Sequence, residues 1–429
     1  MGKSTPLKVA LLGCGVVGSQ VARLLIQQAD DLRARVGRPL ELVGIAVRDL
    51  SKPRPGIDPE LLTDDAAGLA ARADVDLVIE LLGGIEPARS LILAAIEAGS
   101  AVITANKALL ATEGGTIFAA AEAAGVDVYY EAAVAGAIPI VRPLRESLVG
   151  DEITAVLGIV NGTTNFILDR MHTLDADFAT ALAEAQQLGY AEADPTADVG
   201  GYDAAAKASI LASLAFHSRV RLSDVDFEGI DGVTTADIEA AREMGCVVKL
   251  LARCSLSADG SIAVGVHPTM VPLSHPLASI PGAYNAILVE SRNAGRLMFM
   301  GPGAGGQPTA SAVLGDVVTA ARNRVRGTRG PAESTYSGRA ITPAGGVTSR
   351  YYASLSVTDE PGVLAAVASA FANQSVSLQA VRQESLGDRA RLGVVTHLAR
   401  QEQVSAAVDE LEAMPAVRPG ISLMRVEGA

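Results

Sequence analysis

Residues 7–18 of the chain read LKVALLGCGVVG. The first six are nearly all apolar and have the length of a buried strand. Gly13, Gly15 and Gly18 follow in G-x-G-x-x-G spacing, and Val21, Leu24 and Leu25 then recur with helical period. A strand, a glycine turn and a helix in that order open a dinucleotide-binding α/β unit. Gly13 permits the tight turn, Gly15 lets a pyrophosphate approach the backbone, and Gly18 lets helix and strand pack closely. With Val16 and Val17 opening the helix, these residues form a candidate cofactor cradle. The competing reading is a glycine-rich turn in some other α/β protein.

Further strands are expected at residues 40–47, 76–82, 101–104 and 126–130, with a helix at 87–98. The strand at 40–47 runs into Arg48, with Lys52 and Arg54 close behind. Arg48 suits a ribose 2′-phosphate and so NADP, whereas Asp49, one place late for a ribose hydroxyl, keeps NAD possible. A solvated basic loop is the plain alternative. Ligands of such folds sit at the carboxyl ends of the strands, which here carry Gly83 and Gly84, then Thr104 followed by Lys107, then Glu131. Thr104 and Lys107 are candidates for the cofactor, and Lys107 lies where nicotinamide and substrate would meet. Residues 132–139 are small, apolar and without regular pattern. Glu131 and exposed carbonyls there could hold a monovalent cation; a plain strand-to-helix loop is the alternative.

A chain of 429 residues implies two or three domains. The formal net charge of −13, with scattered basic residues, argues against a nucleic-acid partner. Three cysteines, Cys14, Cys246 and Cys254, are too few for a disulfide framework and point to a reducing compartment. The N-terminus shows no signal-peptide pattern, and no apolar run approaches the ~18 residues of a membrane span. A cytoplasmic protein with no membrane partner is expected.

After residue 150 the pattern changes to α+β. Strands are expected at 153–160, 247–256, 262–271 and 286–290, and helices at 179–188 and 309–323. Residues 161–165 form a helix-capping polar turn, and 301–306 (GPGAGG) a glycine loop. Residues 189–207 read GYAEADPTADVGGYDAAAK and place four carboxylates and one lysine ahead of an apolar helix. Pro195 and the Gly200, Gly201 pair should break any regular element before Tyr202. From Tyr202 the pattern is helical, so Asp203 and Lys207 share a face at i and i+4. A surface pair is the bland reading; a site for an ammonium group and a proton donor is the functional one.

Residues 326–349 are rich in Gly, Arg, Thr and Pro and read as a linker. Residues 350–429 show a βαββαβ order, which is ferredoxin-like. Their opening, D-x-P-G-V-L-x-x-V-A-x-x-F from Asp359 to Phe371, resembles the ACT module that senses amino acids. The expected organisation is a Rossmann-type domain at 1–150, a catalytic α+β domain at 151–325 whose last helix returns to the first, a linker at 326–349 and an ACT domain at 350–429.

The glycine turn, Lys107, Glu131 and the stretch 189–207 together resemble homoserine dehydrogenases, over residues 7 to about 325. The resemblance implies NAD(P)H-dependent interconversion of L-aspartate 4-semialdehyde and L-homoserine in threonine, methionine and isoleucine biosynthesis. No kinase-like segment precedes residue 7, so the single-function form is expected. By position Lys207 matches the proton donor, with Lys107 a second lysine at the catalytic centre. Glu192 and Asp203 match substrate-binding carboxylates, and Gly189 a backbone contact to homoserine. Glu131 with the carbonyls of Val134, Gly136 and Ile138 matches a sodium site. Gly303 of the later glycine loop matches a cofactor contact, with Gly301 and Gly305 as neighbours that could take its place. Threonine is the implied effector at the ACT domain, and a homodimer or homotetramer the implied assembly. Reduction of an aldehyde needs a hydride on carbon and a proton on oxygen, and a lysine ammonium can donate that proton when burial and a second cation make it more acidic.

The five histidines show no ligand spacing, so catalytic zinc is not expected. Cys246 and Cys254 flank an apolar strand and read as core. Two other functions remain open from sequence: another amino-acid dehydrogenase on the same two-domain plan, and a non-catalytic amino-acid sensor.

Overall fold

The computed structural model describes residues 5–385, 387 and 389–428; Asp388, expected beside Gly387 in a loop of the C-terminal module, lies outside them. The chain forms two compact units: Met1–Val156 with Ala206–Ser223 and Asn285–Arg339, and Leu157–Ala205 with Asp224–Tyr284 and Ala340–Ala429. Both are discontinuous in sequence. Helix Gly306–Arg326 belongs to the first, and the C-terminal module shares the second with residues 224–284.

The first unit is built on six parallel strands: β1 Leu7–Leu12, β2 Leu40–Ala46, β3 Leu62–Thr63, β4 Leu77–Glu80, β5 Ala101–Thr104 and β6 Val128–Tyr129. Their order is β3-β2-β1-β4-β5-β6, the doubly wound arrangement whose ligand crevice lies at the β1/β4 switch point. β1, β4 and β5 are buried almost throughout, as strands covered on both faces must be. The expectation held for β5 to the residue and for β1 likewise. The strands anticipated at 76–82 and 126–130 are shorter, and β3 was not anticipated, because two residues carry no periodicity.

Helix Gly306–Arg326 completes this core. Its Ala310, Val313, Leu314, Val317, Ala320 and Ala321 pack with Leu7, Val9, Leu11, Val21 and Ile79. The helix is longer than the 309–323 expected, starting at Gly306. Gly301 and Pro302, expected in a loop, instead end strand Gly295–Pro302. The same helix carries Asp316, only 1% exposed. Asp316 accepts from the Glu131 backbone N–H at 2.8 Å and pairs with the Arg142 guanidinium. Glu131 in turn accepts at its carboxylate from the N–H groups of Ile140, Val141 and Arg142, at 2.6, 2.7 and 3.0 Å.

In the second unit, strands Cys246–Leu256 and Ile262–Pro272 form a long antiparallel hairpin. Helix Gly162–Leu174, capped by the Asn161 side chain on Thr164 N–H, packs on the first of these strands. The C-terminal module folds as Thr348–Thr358, Val363–Asn373, Leu378–Ser385, Arg389–Thr396, Gln401–Glu412 and Ser422–Val426. Taken in module order its four main strands lie 4-1-3-2, the ferredoxin-like pattern expected. Gly362 enters its first helix at φ 92, a left-handed conformation that glycine adopts without steric cost. The last strand also pairs in parallel with Ile262–Pro272, at Thr269 with Arg425 and Met270 with Val426. One short helix, Thr196–Val199, lies where Pro195 and Gly200 were expected to exclude any regular element. Pro195 sits ahead of its first turn, where a missing N–H is harmless.

Asp316→Ala should lower unfolding stability by about 2–3 kcal/mol, because the Glu131 N–H and the Arg142 guanidinium each lose a buried acceptor. A urea midpoint unchanged from the parent chain would refute that anchoring role.

Candidate active site

The glycine turn has the geometry that a dinucleotide needs. A Cβ on Gly18 would stand 2.1 Å from the Gly13 carbonyl oxygen, and one on Gly13 2.7 Å from that of Leu81. Both positions therefore exclude any larger residue. Gly15 faces open space, with nothing within 4 Å of its Cβ position. Helix Val16–Gln27 begins there without a side-chain cap, and Val16 is 76% exposed. Uncapped N–H groups at a helix start form a ready anion site. Gly306 lies against Val16, so the later glycine loop abuts this turn.

Beyond Arg48, which is exposed, the basic loop after β2 is ordered by its own bonds. Asp49 accepts from Ser51 N and Oγ at 2.9 and 2.6 Å, which leaves its carboxylate engaged within the turn. Arg54 donates to the carbonyls of Asp49 and Lys52, at 3.0 and 2.9 Å, and sits beside Cys14 of the glycine turn. Its Nε is buried without a partner. Sequence reading noted Arg54 only as a neighbour of Arg48; its spacing from the strand gave no sign that it reaches Cys14.

At the ends of β4 and β5, the buried Glu80 carboxylate accepts from Leu82 and Gly83 N–H, at 2.7 and 3.3 Å, and from the Thr104 hydroxyl at 2.6 Å. Thr104 Oγ1 also accepts from Asn106 N–H at 3.0 Å. The Thr104 hydroxyl is thus committed to the fold. Asn106 caps helix Lys107–Ala124 by accepting from Leu109 N–H, and its amide donates to the Gly84 carbonyl at 2.6 Å. This sets Lys107, half-buried, at the first position of its helix, just past the end of β5.

Residues 189–207 divide between a loop and a helix. Gly189 has φ 76 and follows helix Phe178–Gln187. Glu192 is exposed, and its backbone carbonyl accepts from Gln186. Helix Tyr202–Phe216 carries Asp203 and Lys207 at i and i+4, each only 8% exposed. That overturns the surface-pair reading, because charged side chains so buried are almost always paired or hydrogen-bonded within the fold. Asn161 donates from its amide to Asp203 Oδ2 at 2.9 Å and to Asp198 Oδ1 at 2.7 Å. Thr163 Oγ1 donates to the Tyr190 carbonyl at 2.7 Å. Sequence reading treated Asn161 only as a helix cap; its second duty, orienting Asp203, links positions forty residues apart that no local pattern connects.

The loop after β6 folds as a turn of 3-10 helix, Glu131–Ala133, followed by Ala135 at φ 55 and Gly136 at φ 59. Among the described residues, no N–H donates to the carbonyl oxygens of Val134 or Gly136, although both residues are buried. The Glu131 carboxylate, which has about four acceptor sites, has three taken by backbone N–H groups. Burial pushes its pKa upward. The two buried carboxylates of Glu131 and Asp316 face a single guanidinium, Arg142. The donor set of carboxylate and carbonyl oxygens fits a hard monovalent cation. Gly303 stands beside this loop: a Cβ on Gly136 would meet the Gly303 carbonyl at 2.4 Å, and one on Gly303 would meet the Asn285 amide at 2.0 Å. Asn285 is fully buried with both amide atoms unpartnered, another residue that its plain strand context concealed.

Comparison with known proteins gives three family matches: homoserine dehydrogenase, NAD binding domain, over residues 13–131; homoserine dehydrogenase over residues 139–318; and the ACT domain over residues 351–416. The chain is 56% identical over 430 residues to a homoserine dehydrogenase of Corynebacterium glutamicum, covering 99% of this chain and 97% of that protein. It is 55% identical to one from Mycobacterium tuberculosis, covering 100% and 99%. A crystal structure of a homoserine dehydrogenase from Thiobacillus denitrificans superposes with a TM-score of 0.94 at 39% identity, covering 99% of this chain and 98% of that one. The chain belongs to the homoserine dehydrogenase family and is an oxidoreductase with a nicotinamide-dinucleotide domain, a homoserine dehydrogenase catalytic domain and a C-terminal ACT domain.

Proposed function

We propose that Lys207 is the proton donor in the reduction of L-aspartate 4-semialdehyde to L-homoserine, and that Asp203 orients the reacting groups. The observation that carries this reading is the burial of both residues on one helix, with Asn161 fixing Asp203. The nicotinamide, when bound, supplies the hydride that goes to the aldehyde carbon and takes it back in the reverse direction. Lys207 delivers a proton to the carbonyl oxygen as that hydride arrives, so the oxygen never carries a full negative charge. Lys107, at a helix start beside the end of β5, polarises the same carbonyl and meets the nicotinamide end of the cofactor. Glu192, on the exposed loop, pairs with the substrate ammonium, and Gly189 offers its backbone to the amino acid. Gly13, Gly15, Val16, Val17, Gly18, Thr104 and Gly303 line the cofactor.

The cofactor is NADP(H) in preference to NAD(H) in this reading. Arg48 stands exposed at the end of β2 while the Asp49 carboxylate is engaged by Ser51. A hyperthermophilic archaeal homoserine dehydrogenase solved in complex with NADPH is 26% identical, with a TM-score of 0.63, and covers 74% of this chain and 98% of that one. Glu131 and the carbonyls of Val134, Gly136 and Ile138 hold a sodium ion whose role is structural, offsetting the surplus buried negative charge. Threonine acts through the ACT domain, and the exposed edge strand Leu378–Ser385 offers a pairing edge for a homodimer or homotetramer. A reducing, cytoplasmic setting accords with three free cysteines; among the described residues no helix is long and apolar enough to cross a membrane.

Lys207→Ala should abolish turnover while leaving NADPH affinity within about twofold, on the differential-binding argument; retention of most of kcat would exclude Lys207 as the donor. Arg48→Ala should weaken NADPH binding about tenfold or more and NADH binding little, as loss of a charge-assisted phosphate contact implies. Equal loss for both cofactors would defeat the 2′-phosphate role.

The cation reading predicts a pH signature. Burial pushes Asp316 up to about 7, above its unfolded value. Its contribution is therefore fully present below about pH 4, its unfolded value, and is lost progressively as pH rises from there through about 7. Below that point a protonated Asp316 removes the charge surplus. Sodium chloride should raise Tm over choline chloride at equal ionic strength, and by more at pH 8 than at pH 5.5. A difference that is absent, or larger at the lower pH, would count against the site.

A further inference from the structure

Residues 330–339 form neither helix nor strand, yet they are tied along the first unit. Gly330 N–H donates to the Asp127 carboxylate at 3.1 Å, and Arg145 donates to the Pro331 carbonyl. Glu333 accepts from the Arg219 guanidinium at 2.6 Å, and Ser334 Oγ lies 2.7 Å from His217 Nδ1. The Tyr336 ring stacks on that of His217, with centroids 4.8 Å apart. Ser337 N–H donates to the His217 carbonyl at 2.9 Å, and Arg339 N–H to Ser218 Oγ at 3.0 Å. Residues 333–339 therefore grip residues 217–219.

His217 directly follows helix Tyr202–Phe216, which carries Lys207. Its φ is 50, a left-handed conformation that costs a non-glycine residue energy and persists only where the surroundings enforce it. The bonds to its ring and its carbonyl supply that enforcement. The next turn is tied back to the same helix, because Val220 N–H donates to Ser213 Oγ at 3.0 Å. Arg219, placed by that turn, reaches a second helix. Helix Lys107–Ala124 holds two adjacent glycines in its interior, Gly114 and Gly115, and interior glycines weaken a helix. A Cβ on Gly115 would lie 3.2 Å from Arg219 Cζ and Nη1, and one on Gly114 3.7 Å from Nη1. The guanidinium thus rests where the two glycines leave the helix without side chains. The first residue of that helix is Lys107.

We propose that residues 333–339 are a brace that sets the spacing of the two lysine-bearing helices, with Arg219 and His217 as positioning residues for Lys107 and Lys207. The inference rests on the reading that both lysines act on one carbonyl. A helix rises roughly 1.5 Å per residue, so Gly115 and Phe216 lie about 12 and about 14 Å along their axes from the two lysines. A swing of a few degrees at the braced ends moves each lysine by about 1 Å, and misplacement on that scale can cost a rate on the order of a hundredfold. The Glu333 side chain is 19% exposed and that of Arg219 37%, so water screens their ion pair in part. The ring stack and the backbone bonds at 217–218 add to it.

The test uses the full-length chain. Calorimetry with NADPH and NADH gives cofactor Kd and the number of binding-competent sites, and kcat for homoserine oxidation is expressed per such site, so that unfolded chains do not count. Arg219→Ala and Glu333→Ala should each lower kcat about tenfold, as a helix shift somewhat below 1 Å implies, with cofactor Kd within about twofold of the parent. Arg219→Lys, which keeps the charge without the flat fork, should recover part of that loss. If Arg219→Ala and Glu333→Ala keep the parent kcat per site, the brace is overturned. If cofactor affinity falls in step with kcat, the segment merely supports the cofactor domain and the brace is overturned as well. Lys207→Ala is measured alongside. Should it retain turnover, the catalytic reading fails and takes the brace with it; should it be inactive while the Arg219 and Glu333 variants match the parent, the brace alone falls.

Discussion

The first unit depends on a knot of two buried carboxyl groups, Asp316 and Glu131, and the partly exposed guanidinium of Arg142. Asp316 reaches from a late helix to the backbone of Glu131, and Glu131 gathers the N–H groups of residues 140–142 onto its own carboxylate. Arg142 closes the circuit by pairing with Asp316. Charged groups leave water at a cost of several kcal/mol each, so such a knot persists only when nearly every lone pair is used. Here that demand shapes the loop after β6. Its backbone is pinned at 131 and again at 140–142, and between them the carbonyls of Val134 and Gly136 accept no N–H among the described residues. The same pinning sets that turn against Gly303.

Much of this was legible in the sequence where the signal is local. The glycine turn, the strand at 101–104 and the helix from Tyr202 each carry their pattern within a dozen residues. One cap was legible for the same reason: Asn161 sits where a short polar side chain precedes a helix, whereas Asn106, which caps the helix from Lys107, was not read as one. What escaped was short or non-local. Strands of two residues have no period to read, and Gly295–Pro302 hid behind its glycines. In the site, Asp203 and Lys207 stood out by their i,i+4 spacing in a carboxylate-rich stretch, and Lys107 and Glu131 by their places at the carboxyl ends of strands. Asn161 as a partner of Asp203, Arg54 beside Cys14 and Asn285 against Gly303 depend on pairings between distant segments. No spacing rule encodes these.

Burial also separates two lysine–carboxylate arrangements that look alike on paper. An i,i+4 pair on an exposed helix stabilises by a few tenths of a kcal/mol. Asp203 and Lys207 occupy the same spacing but are almost wholly covered, so their energetic balance is set by desolvation and by partners such as Asn161. Glu192, by contrast, remains exposed on its loop, free to meet a ligand without first giving up an internal bond.

The shared edge of strand Ile262–Pro272 has a consequence for how the second unit is assembled. Its pairing at Thr269 and Met270 is supplied by a strand from the far end of the chain. Until that segment arrives, those two positions present an unpaired sheet edge, the kind of surface that neighbouring chains can capture. Long loop closure makes such pairings slow relative to hairpins. The hairpin with Cys246–Leu256 can therefore form early, while the docking of the last strand is a late event. The ACT module is in this sense also a built-in lid for an aggregation-prone edge, and weakening it would show first as poor yield on refolding.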